Sequence, residues 1–220
     1  MEQLTDFFQY VTNSEEIIQT GGVIAIVLIV YIENGLFFGF FLPGDYLLFL
    51  SGVFCGLGFL KVNIFLLLIA IFAAAFLGSY TGYASGYYFG EAIENKQENL
   101  FFKKKHIQRT KRYFEKFGSR TLIIARFLPV IRTFAPIMAG VVKMKPIPFL
   151  IYNIFGAFLW VTILVGGGYY FGVRFPGITD YVHYVVIFFL AVTTFTLIQG
   201  YRSTKKEIIS DEESSETQKE

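Results

Sequence analysis

Three stretches of this sequence run without a charged residue for longer than a soluble domain needs: Val62–Gly90, Phe149–Phe171 and Tyr181–Tyr201. Each exceeds the ~20 residues with which a helix crosses the hydrocarbon layer of a bilayer. In hydrocarbon every backbone N–H and C=O must be satisfied within the protein, and a helix does so by itself. Apolar residues make up 54% of the 220, and 27 of them are phenylalanine. A soluble core of this size does not require that. The chain is expected to be an all-α polytopic membrane protein.

The flanks read differently. Residues 1–20 carry Glu2, Asp6, Glu15 and Glu16 and lack the positive start of a signal peptide. They are expected to form an interfacial amphipathic helix with Leu4, Phe7, Phe8 and Val11 on one side. The membrane domain spans 21–201: a first half (21–90), a basic loop (91–120) and a second half (121–201). Residues 202–220 begin with Arg202, Lys205 and Lys206, turn acidic and serine-rich, and read as a disordered tail. Cys55, the single cysteine, excludes a disulfide framework and reads as a small hydrophobe.

Charge sets the orientation. The loop 91–120 holds nine Lys/Arg against four Glu, and short basic loops stay in the cytoplasm. The tail opens with basic residues beside a span and belongs on the same side. Such segments meet anionic headgroups, and no nucleic-acid partner is expected. An even number of crossings must then separate Arg120 from Arg202. Phe149–Phe171 and Tyr181–Tyr201 supply two, so Thr121–Val142 has to enter and leave on one side as a re-entrant hairpin. Pro129 and Pro136 are expected to interrupt any single helix there, and Lys143 and Lys145 to mark its cytoplasmic exit.

That hairpin contains Arg126 and Arg132. An arginine at the bilayer centre costs roughly 2.5–3.5 kcal/mol on insertion scales. The first half has a counterpart: Glu33 and Asp45 lie in apolar sequence around a Pro43-Gly44 break. Gly21–Leu60 is long enough for two spans or one long hairpin. Interrupted segments in corresponding positions of two halves point to an inverted-repeat transporter with a midplane site. Pairing the two acids with the two arginines would relieve the burial cost of all four. A salt-bridge network that only fixes the fold would place the same residues together.

The chain resembles the DedA family of membrane proteins over about residues 20–175. The resemblance rests on Glu33 followed by "FLPGD", "GSYTGYASGYYFG" with Gly78, Tyr83, Gly86 and Gly90, and "FEKFG". It continues through "RFLPVIRT", Ala139-Gly140, and "FLIYNIFGAFLW" with Asn153, Gly156 and Trp160. Asp45 stands where many members carry glutamate. Ser79 stands where many carry aspartate, which weakens the case for a role at position 79. The resemblance implies a core of two re-entrant helical hairpins plus transmembrane helices. It also implies proton-driven transport of undecaprenyl phosphate or a related polyprenyl phosphate across the bacterial cytoplasmic membrane. Arg126 and Arg132 would bind the phosphate, and Glu33 and Asp45 would couple protons. Pro43, Gly44, Pro129, Tyr83, Gly140 and Asn153 would shape and support the site. A less selective phospholipid scramblase on the same scaffold and a membrane lipid phosphatase are the alternatives. The latter lacks a histidine suited to act as nucleophile, and no enzyme activity is expected.

The chemistry fits that implication. A guanidinium offers a planar fork of donors matched to phosphate oxygens. A bound phosphate would compete with the acids for that fork, and desolvation beside an anion favours the neutral form of a carboxylic acid. Phosphate binding would thus draw in a proton, for which Glu33 is the preferred carrier. The small residues of "GSYTGYASGYYFG" suit close helix packing, and "GYASGYYFG" around Ser85 lacks a histidine at matching depth for a protease dyad. Neither a metal nor another cofactor is expected. Asn153 reads as an interhelical hydrogen-bonding residue and Trp160 as packing. A homo-oligomer is compatible with the sequence, which does not set the oligomeric state.

Overall fold

The computed structural model describes residues 22–36, 44–95 and 118–175, with isolated positions at 177, 184, 187, 188, 191 and 194. The expected N-terminal helix, Pro43, most of the basic loop and the tail lie outside the described residues, and the third apolar run is described only at isolated positions. The described residues are mainly helical, without strands. In chain order they form α1 (Gly22–Gly35), α2 (Gly44–Gly56), α3 (Ile64–Asn95), α4 (Thr121–Ala125), α5 (Pro129–Val141) and α6 (Pro146–Val161). A π-helical turn (Thr162–Gly166) then leads into α7 (Gly167–Arg174).

Local chemistry sets these boundaries. Asn63 starts α3, its Oδ1 accepting from the Phe65 amide at 2.8 Å, and no proline interrupts the following 32 residues. Pro129 and Pro146 occupy the first turns of α5 and α6, where a missing N–H costs nothing. α5 closes in a Schellman turn. The Met144 amide donates to Ala139 O and the Lys143 amide to Gly140 O, both at 2.9 Å. Lys143 occupies the left-handed position at φ 55° that glycine usually takes.

Pro136 does not act as expected. α5 continues through it to Val141, and its missing N–H leaves the Arg132 carbonyl without the usual i+4 donor. The interruption instead falls at Arg126–Leu128, between α4 and α5.

Two helical stretches, Ile64–Gly90 and Pro146–Arg174, are long and apolar enough to cross a membrane, matching two of the three uncharged runs. Only 33% and 39% of their most apolar windows are buried, whereas the core helix of a soluble protein would be mostly buried. Phe65, Leu66 and Ile69 on α3 and Phe155 and Phe158 on α6 face outward. Water would penalise such surfaces and lipid does not.

The main core joins α1, α2, α3, α6 and the π turn around Leu47, Leu48, Leu67, Ile71 and Val165, with Cys55 at its edge. A smaller one joins Tyr83, Leu122, Ala135, Ala139 and Phe149. Between the halves, backbones meet at glycines. A Cβ at Gly140 would lie 2.1 Å from Tyr83 O on α3, and one at Gly168 would lie 2.0 Å from Phe49 O on α2. α1 and α4, by contrast, pack on the long helix of their own half, α1 on α3 and α4 on α6.

Candidate functional site: a buried charge cluster

Four ionisable side chains converge where α1 ends, α2 begins and the α4–α5 break lies. Glu33, in the last turn of α1, is 1% exposed; Arg126 and Arg132 are 5% and 4% exposed. Asp45 belongs to the first turn of α2, where the positive end of the helix dipole favours an anion. Gly44 makes room for Glu33, because a Cβ there would stand 1.5 Å from Glu33 Oε2. Any larger residue would push the carboxylate out.

The four do not pair two by two. Arg132, in the first turn of α5, takes both acids: Nη2 donates to Glu33 Oε1 and Nη1 to Asp45 Oδ1. Thr133 Oγ1 donates to the Glu33 carbonyl at 3.2 Å and ties the same turn to α1. Arg126 leaves the end of α4 in another direction and, among the described residues, meets only neutral acceptors. Its Nη1 donates to Asn153 Oδ1 at 2.7 Å, and its Nη2 to Ala75 O at 2.9 Å and Ser79 Oγ at 3.0 Å. The expectation that two arginines share two acids is thus corrected. The break in the chain divides the arginines between helices, and both acids reach only the α5 side.

The surrounding residues complete the shell. Asn153 Nδ2 donates to Phe76 O at 3.2 Å, so Asn153 bridges α6 to α3 while receiving Arg126. Trp160 donates its indole N–H to Asp45 Oδ1 at 3.1 Å. Its ring centroid lies 4.8 Å from the Arg132 guanidinium and 5.8 Å from that of Arg126. Among the described residues, Arg126 Nε and Arg132 Nε lack a hydrogen-bond partner, and Glu33 Oε2 lies against the Gly44 backbone without a well-formed bond.

The other sequence candidates hold the scaffold. Tyr83 donates its hydroxyl to Met144 O at 2.6 Å and stacks on Phe149 at 4.1 Å, fixing the α5–α6 turn. Gly140 permits the α3–α5 crossing, and Pro129 starts the helix that carries Arg132. Pro43 lies outside the described residues. Sequence reasoning missed three members of the shell: Ser79, discounted for lacking a charge, Trp160, read as packing, and Thr133. Trp160 lies two helical turns after Asn153, on the same face of α6, and that spacing was a signal in the sequence.

Known proteins are similar in sequence over much of this chain. The VTT domain matches residues 42–170, a span that includes Asp45, Ser79, both arginines, Asn153 and Trp160. Protein DedA of Escherichia coli K12 is 35% identical over 166 residues, covering 76% of this chain and 75% of that one. The chain belongs to the DedA family. DedA relatives also include an uncharacterized membrane protein of Mycobacterium leprae, 33% identical over 83% of this chain and 82% of its own. Inner membrane protein YqjA of Escherichia coli is 35% identical over 66% of this chain and 65% of its own. No solved structure matches the chain. Family and apolar surface together make this DedA-family protein a membrane protein.

Proposed function

We infer that the protein flips a polyprenyl phosphate such as undecaprenyl phosphate, or a closely related anionic lipid, across the bacterial cytoplasmic membrane in a proton-coupled step. The observation that carries this reading is the asymmetry of the two arginines. Among the described residues, Arg126 is a buried cation held only by neutral oxygens, beside an Arg132 whose fork is filled by two carboxylates. A cation in low dielectric without a counter-ion is costly, and an arriving phosphate supplies the missing charge. Arg126 receives it first. Phosphate oxygens then compete for Arg132, and a displaced carboxylate, now near an anion and away from its guanidinium, takes up a proton. Release on the other side restores the carboxylate–Arg132 pairs. The chain's own groups need only bind, exchange partners and carry a proton, so we read transport rather than an enzyme.

The packing supports two inverted re-entrant hairpins. α2 and α5, the second arms, each cross the long helix of the opposite half at glycines, and α1 and α4, the first arms, each pack on the long helix of their own half. Broken backbone at Arg126–Leu128 suits a membrane interior only where protein or a wet cavity satisfies it. In this reading the basic loop and the tail are cytoplasmic. The test is flipping of labelled polyprenyl phosphate in proteoliposomes with an imposed proton gradient, with released inorganic phosphate measured alongside. Gradient-dependent flipping without released phosphate is expected. Phosphate release would identify a phosphatase, and flipping indifferent to headgroup and gradient would identify a scramblase.

A further inference from the structure

Trp160 touches three of the four charged residues, and nothing in the exchange described above uses it. Its N–H can donate but not accept, so it acts on Asp45 as an acceptor. Asp45 Oδ1 therefore has two donors, Arg132 Nη1 and Trp160 Nε1. Glu33, on α1, meets one side-chain donor among the described residues, Arg132. The indole face meanwhile accompanies both guanidiniums, and a ring quadrupole attracts cations. It lets two like charges share a small volume. Trp160 is itself 1% exposed and locked in the main core, so it offers a rigid reference against which the charges can rearrange.

We propose that Trp160 is a positioning residue that orders the exchange: it retains Asp45 on Arg132, so that an incoming phosphate displaces Glu33. The inference rests on the phosphate reading above and deepens it by assigning unlike roles to the two acids. Glu33 leaves Arg132 and carries the proton. Asp45 stays as the fixed counter-ion, held by the indole when Arg132 turns part of its fork to the phosphate. Among the described residues, the charged groups facing this exchange are Glu33 from α1, Asp45 from α2, Arg126 from the end of α4 and Arg132 from α5.

The chain has a single tryptophan, so isotopic labelling of tryptophan yields one indole N–H resonance. In the full-length detergent-solubilised protein, dodecyl phosphate is titrated while the same binding is followed by calorimetry. The indole resonance is expected to move in step with the calorimetric isotherm and to stay still in Arg132→Gln. Calorimetric binding with an unmoved indole resonance overturns the role of Trp160 and leaves the phosphate reading intact. Absence of calorimetric binding overturns the phosphate reading and this inference with it. A second arm uses Trp160→Phe, which keeps a ring face and removes the N–H. Loss of a hydrogen bond to a charged group corresponds to roughly tenfold, so the ratio of gradient-driven to gradient-independent flipping should fall about tenfold. An unchanged ratio in a Trp160→Phe protein that binds dodecyl phosphate normally would sink the proposal.

Discussion

Single residues decide the charge state of this site. Ser79 is 1% exposed and its hydroxyl faces Arg126. An aspartate there would give Arg126 an internal counter-ion, and that carboxylate would compete with any external anion. Ser79→Asp is expected to weaken lipid-phosphate binding about tenfold, near the worth of one charged hydrogen bond, and to raise the melting temperature. Equilibrium binding and a thermal melt on one preparation check both. Asn153→Leu acts in the other direction. It strips Arg126 of its shortest acceptor at 2.7 Å and should cost about 1–3 kcal/mol of stability, as orphaned buried donors do; chemical unfolding measures it. Glu33→Gln removes the proposed proton carrier while keeping its shape. The variant should keep or gain lipid-phosphate affinity yet lose gradient-driven flipping. A Glu33→Gln protein that folds and still flips at wild-type rate with the gradient would exclude Glu33 as the proton carrier.

At the scale of elements, the arms hold their positions through backbone contact rather than side-chain bulk. Small residues let helices approach closely, which matters most in lipid, where hydrophobic burial gives no drive to association. A Cβ at Gly52 would lie 2.1 Å from Val165 O and one at Gly168 2.0 Å from Phe49 O. Both obstacles are backbone, so the helices themselves would have to part. Gly52→Val and Gly168→Val should each destabilise the protein by about 1–3 kcal/mol or more, as overpacked cores do. Both should also lower flipping without touching any charged residue. The π turn at Thr162–Gly166 lies one turn beyond Trp160 and packs on α2. Single π turns recur at functional sites. Just beyond it, Gly168 and Gly172 meet the α2 backbone at Phe49 and Val53.

At the scale of the whole molecule, the proposed reading gives the protein a sidedness set by its loop charges. Cysteines placed singly at Lys105, Lys143 and Lys205 in a Cys55→Ala background should react with an impermeant reagent only from the cytoplasmic side. One at Arg174 should react only from the outside. Labelling of position 143 from outside would mean that 121–142 crosses fully, and the proposed hairpin would be lost. Lys143 suits this test because it lies exposed at the α5–α6 turn.

The sequence by itself determined that the described chain is helical and built for a bilayer, because unbroken apolar runs and proline positions act within a few residues of chain. It also singled out Glu33, Asp45, Arg126 and Arg132, since each charge stands out against its own apolar neighbours. Only the tertiary structure decided who meets whom. Arg132 reaches Asp45 and Glu33 across 87 and 99 residues, and Trp160 reaches Asp45 across 115. These contacts depend on the directions in which side chains leave helices that converge from distant parts of the chain. For the same reason the neutral cage of Arg126, the part played by Ser79 and the passage of α5 through Pro136 were not legible beforehand. Local composition fixes the cost of burying a charge, and packing alone chooses the partner that offsets it.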